Sequence, residues 1–118
     1  MEKGKIVYLS GEITDSALCK EEYASAEKFL VQSGYIVLNP IGLESLVNDL
    51  TPEQTMSLCY RFIDFSDAIF MMGGWQKSKE AICELSYAKS LGKKVMYQNY
   101  YHPYRKERKD EKGEESLS

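Results

Sequence analysis

Glu84 stands where a charge is least expected. The run Ser78 to Leu91 has helical periodicity, and Gly92 is placed to close it. With Ala81 set at zero, Leu85 falls at about 40°, Ala88 at about 340° and Leu91 at about 280°. Glu84 falls at about 300°, inside that apolar arc. A carboxylate turned toward a core is costly unless it is paired or faces a cavity. A structural salt bridge would satisfy it, as would a place at the rim of a narrower stripe. In a pocket, the same group can attack or stabilise an electron-poor carbon. Ser78 is placed to cap this helix, and a helix N-terminus favours anions, although a plain cap needs no ligand. Trp75, the only tryptophan, follows Gly73-Gly74. It can stack on a base or sugar, or seal the end of a core. Tyr8 lies inside an apolar run, where a tyrosine is more often core than site.

The elements that must position these residues alternate along the chain. Lys5 to Ser10 reads as a buried strand ending at Gly11, and Tyr23, Ala26 and Leu30 share one face of the helix that follows. Gly34 closes that helix, and Tyr35 to Leu38 is a second strand stopped by Asn39-Pro40. A short helical turn is predicted within Leu43 to Leu50. Thr51-Pro52-Glu53-Gln54 is a capping box with proline at the first helical position, opening a helix to about Ser66. Ala68 to Met72 is almost wholly apolar and reads as a central strand. Val95 to Tyr97 is the last. This order predicts a single α/β domain, Rossmann- or flavodoxin-like, with an open parallel sheet of four to five strands and helices on both faces. Residues 1–102 form the domain; the charged run 103–118 reads as a disordered tail.

Right-handed crossovers place every strand's C-terminal end on one edge, where ligands of open α/β sheets bind. Those ends are Ser10-Gly11, Asn39-Pro40, Gly73-Gly74-Trp75 and Gln98-Asn99. Glycine there permits close approach by a ligand or by another loop, or simply makes a tight turn. At 118 residues, 43% hydrophobic and 28% charged, the chain has the composition of one soluble domain. No apolar run is long enough to span a bilayer, and the N-terminus lacks signal-peptide features, so a cytoplasmic location is expected. Cys19, Cys59 and Cys83 form no paired motif, which argues against disulfides and against zinc. A net charge of −3 gives no general attraction to nucleic acid.

The ordered set Tyr8-Leu-Ser-Gly11-Glu-Ile-Thr14, Gly34-Tyr-Ile-Val-Leu-Asn39-Pro40, Ser66-Asp67-Ala-Ile, Gly74-Trp75 and Ser78-x-x-Ala81-x-x-Glu84 resembles the nucleoside 2-deoxyribosyltransferase-like superfamily. It is most similar to a small phage- and prophage-associated branch of unknown function, and the likeness spans roughly residues 5 to 97. The resemblance implies N-glycosidic chemistry on a nucleoside or nucleotide, without a cofactor or metal. Glu84 falls on the nucleophile and Tyr8 on a tyrosine beside it. The loop Gly11 to Thr14, with Ile13, falls on the substrate loop, and Ser78 on a serine that holds a 5′-phosphate. Asn39, Gly74 and Trp75 complete the expected substrate contacts. A homodimer or larger homo-oligomer is also implied, with the site completed by a neighbouring subunit.

Three positions depart from the pattern. Glu12 stands where proline is usual, and Glu80 where glycine is usual, both adding negative charge that Lys77 and Lys79 offset only in part. Cys59 aligns with an aspartate, and a thiol is a poor general acid for this role. Asp64 belongs to another face of that helix, and Asp67 to the far end of the sheet. Three readings follow: an N-glycosidase or deoxyribosyltransferase using Glu84, a non-catalytic nucleotide binder of the same fold, or an interaction module with a vestigial pocket.

Overall fold

In the computed structural model of the chain, which describes residues 5–43 and 48–98, strand and helix alternate as predicted. The elements are β1 (Ile6–Ser10), α1 (Ala17–Gln32), β2 (Ile36–Leu38), α2 (Pro52–Phe65), β3 (Ala68–Met71), α3 (Lys79–Ser90) and β4 (Lys94–Tyr97). Short 3₁₀ turns at Pro40–Leu43 and Trp75–Lys77 follow β2 and β3. All pairings are parallel, in the order β2-β1-β3-β4. β1 and β3 are therefore the inner strands, consistent with their apolar sequences, and all four residues of β3 are buried. The chain reverses direction across the sheet between β1 and β3, with Ser10 paired to Met71 at that point. Such a switch point opens a crevice beyond the strand ends.

Period-two alternation divides the core into two layers. Val7, Leu9, Ala68 and Phe70 pack with Tyr23, Ala26 and Leu30 of α1. Tyr8, Ile69 and Met71 pack with Ile63 of α2 and with Ala81, Leu85 and Ala88 of α3. Each fully buried large apolar side chain contributes about 1.5–3 kcal/mol, so these two layers supply most of the drive to fold.

Local signals end the helices where the sequence predicts. The capping box of α2 is complete: Gln54 N donates to Thr51 Oγ1 at 3.1 Å, and Thr51 N to Gln54 Oε1 at 2.9 Å. Gly34 and Gly92 both take positive φ just beyond α1 and α3. Leu91 departs from the predicted apolar arc, lying past the last turn of α3 and 45% exposed. A 3₁₀ turn stands at Pro40–Leu43, where proline's fixed φ suits the first position; the turn anticipated within Leu43–Leu50 falls largely beyond it. Residues 44–47 of that prediction, Asn99 and the charged tail lie outside the described residues. No helix among the described residues is long and apolar enough to cross a membrane.

Candidate functional site

β1 delivers two polar side chains to one face of the sheet, because Tyr8 and Ser10 are two residues apart. Ser78 caps α3, its Oγ accepting from Ala81 N at 3.0 Å, and this fixes the first turns of the helix over the end of β1. Glu84 then points inward between them. Ser10 Oγ donates to Glu84 Oε1 at 2.6 Å, and Tyr8 Oη donates to Oε2 at 3.2 Å. The carboxylate is only 5% exposed, and no Lys or Arg salt bridge holds it among the described residues. Among the described residues, then, a structural ion pair does not account for it.

The three groups sit at the wall of a cavity of about 320 Å³. Ligand pockets run from about 300 to 1,000 Å³, so a small metabolite fits. The end of β1, the turn at Pro40–Leu43, the first half of α2 and the start of α3 enclose it. Burial raises the Glu84 carboxyl above its usual range, while the bonds from Ser10, Tyr8 and the Cys59 thiol pull it down and nearby Glu80 raises it further. Burial, then the charge of Glu84, pushes the Tyr8 phenol well up, so Tyr8 remains a donor at neutral pH. The Cys59 thiol is pushed up to about 11, chiefly by burial, and stays protonated. The result is a desolvated carboxyl group held by two neutral hydroxyl donors, with the Cys59 thiol beside it.

Of the residues predicted from sequence, Tyr8, Gly11, Ile13, Ser78 and Glu84 come together around this cavity. Asn39, Gly74 and Trp75 do not line it. Asn39 instead braces the corner after β2: its Nδ2 donates to Glu27 Oε1 at 2.8 Å, and its Oδ1 accepts from Ile41 N at 3.0 Å. Neighbouring Pro40 reaches the cavity in its place. Gly74 adopts φ 84° with open space around it, a requirement of the turn alone. Trp75 packs near Tyr97 at the end of β4, ring centroids 6.2 Å apart. Asp64 bonds Tyr87 Oη at 2.6 Å on the outer surface, and Asp67 Oδ2 accepts from Ile6 N at the opposite end of β1. Ser10, placed by the sequence at the ligand edge with Gly11 but assigned no role of its own, is a partner of Glu84. Its signal was the two-residue spacing from Tyr8.

Gly11 needs its missing side chain for the fold as well as for the pocket. A Cβ there would lie 2.7 Å from Met72 Cβ and 3.1 Å from Tyr23 Oη. Gly11→Ala should therefore cost about 1–3 kcal/mol of stability. The urea midpoint reads this directly; an unchanged midpoint would mean that Met72 moves aside freely.

Residues 5–97 match the family model of the domain of unknown function DUF4406. The chain belongs to this family. Among solved structures, this DUF4406 domain is similar to the Clostridium botulinum CMP N-glycosidase BcmB, with a TM-score of 0.55 and 25% sequence identity. The likeness covers 79% of this chain and 70% of that one. No curated protein matches. The deoxyribosyltransferase-like resemblance read from the sequence thus agrees with a structural neighbour of the same fold. No group of three or more His, Cys, Asp or Glu side chains able to hold a metal ion occurs among the described residues of the DUF4406 domain.

Proposed function

We propose that this protein cleaves the N-glycosidic bond of a nucleoside or nucleotide, with Glu84 as nucleophile. The observation that carries this reading is the buried Glu84 carboxylate, held by Ser10 and Tyr8 at the wall of a metabolite-sized cavity. The likeness to a nucleotide N-glycosidase supports it. An oxygen of Glu84 attacks C1′ of the sugar, and the C1′–N bond breaks with its electron pair passing to the base. The base takes up a proton, and water then hydrolyses the glycosyl ester to free sugar and restore the carboxylate. A second nucleoside base in place of water would make the same intermediate a transferase step. Ser10 and Tyr8 orient the carboxylate, and their bonds weaken as its charge is spent in the new ester.

Cys59 favours a second reading. A thiol pushed up to about 11 is a weak proton donor to a departing base, and a binder of the same ligand needs no donor at all. Incubating the protein with deoxynucleosides, ribonucleosides and their 5′-monophosphates, and following free base by chromatography, separates the two. Base release that disappears in Glu84→Gln supports the enzyme. A ligand-induced rise in Tm with no base released supports the binder. A second copy of the chain as partner and a cytoplasmic location belong to the same proposal, on the strength of the resemblance and composition.

A further inference from the structure

The cavity's charge separates two classes of ligand that the proposed function leaves together. Its described lining contains no Lys, Arg or His, but two carboxylates, Glu80 and Glu84. Lys77 and Lys79 flank Ser78 in the chain, yet neither lines the cavity. A helix N-terminus such as the start of α3 can offer an anion donors. Ser78 Oγ is engaged there twice, accepting from Ala81 N and donating to Glu80 Oε1 at 3.4 Å. Glu80 stands in the first turn of α3 and already supplies the negative charge that the helix dipole favours.

Resting on the reading of this cavity as a nucleoside-type pocket, we infer that it selects ligands without a 5′-phosphate, and that Glu80 is the residue that excludes the phosphorylated form. The repulsion acts whichever way the ligand lies. Among the described residues, a phosphate in the cavity meets two like charges, Glu80 and Glu84, and no opposite one. An uncharged nucleoside carries no charge for the two carboxylates to repel, and its hydroxyls can donate to them. The charge of Glu80 is felt across the site, since it adds to the upward shift of the Glu84 carboxyl. In this respect the chain would differ from BcmB, whose described substrate is a nucleotide.

Calorimetric titration of the full chain with each nucleoside and its own 5′-monophosphate tests this without requiring turnover. For the base that binds, the nucleoside should bind at least about tenfold more tightly than its monophosphate at low salt. Glu80→Gln should close about tenfold of that gap by tightening the monophosphate alone. Raising the salt to about 1 M, where the screening length is about 3 Å, should narrow the gap in the native chain. Equal or tighter binding of the monophosphate by the native chain overturns the inference, as does a gap that Glu80→Gln leaves unchanged. Selective nucleoside binding without base release sinks the enzymatic reading while leaving the selectivity intact. Binding of neither class sinks both.

Discussion

Glu84→Gln should lower kcat/KM for base release by about 10³-fold or more, because Glu84 is the cavity carboxylate that Ser10 and Tyr8 hold in place for attack. The amide keeps the shape of the carboxyl. Its oxygen can still accept from Ser10, and its NH₂ can donate to Tyr8, so the loss is chemical and ligand binding persists. The same substitution should stabilise the fold at neutral pH. Burial raises the Glu84 carboxyl above its ordinary value, so the native state binds its proton more tightly than the unfolded chain does. The stability that this group contributes is fully present below the unfolded value, and it is lost as pH rises through the native one. Glu84→Gln, which never ionises, escapes that loss.

Activity runs in the opposite sense. Attack on C1′ requires the ionised carboxylate, so kcat/KM should fall as pH drops through the raised native value. The acid limb of the rate profile should thus lie above the ordinary carboxylate range. The stability difference between Glu84→Gln and the native chain should grow across the same interval and vanish below it. Denaturant midpoints measured from pH 4 to 8 on both proteins supply one curve, and initial rates of base release supply the other. An acid limb at the ordinary carboxylate position, or a Glu84→Gln variant no more stable at pH 7, would contradict the buried, charged state on which the proposed attack depends.

What could be read from the sequence followed the range of the interactions involved. The capping box of α2 was legible because Thr51 and Gln54 satisfy each other within a single turn. Glu84 was legible because helical periodicity fixes which way a side chain faces before any partner is known, and burial of Ala81, Leu85 and Ala88 beside it bears this out. Leu91 was misplaced because the wheel was carried past the last helical residue. Asn39, Gly74 and Trp75 were grouped with the site because they end strands. Ending a strand locates a residue at the right edge but not its side-chain direction. Asn39 turns to Glu27 and Trp75 toward Tyr97, both long-range choices invisible to local pattern. Gly11 sat between two explanations, close approach by a ligand or by another loop. The structure places it at the cavity and also against Met72 and Tyr23, so both demands fall on one residue.

Cys59→Asp should raise base release by about 10²-fold, the contribution typical of a positioned general acid. The thiol now lies close enough to Tyr8 and Glu84 for hydrogen bonds to shift all three groups. An aspartate of nearly the same size would enter a partly buried position beside an existing carboxylate. Two carboxyls in one low-dielectric site cannot both ionise easily, so one of them holds its proton near neutral pH. That proton is what the departing base lacks in the native site, where the thiol must be pushed from about 11 to donate. The pair should also titrate as a unit, turning the single acid limb of the native profile into a bell with an alkaline limb where the shared proton is lost. Rates across pH for deoxynucleosides, together with ligand affinity, separate this from a change in binding. A higher kcat with unchanged affinity and a new alkaline limb shows that departure of the base is slow in the native protein for want of an acid. An unchanged kcat places the slow step elsewhere and removes Cys59 from the account of the chemistry.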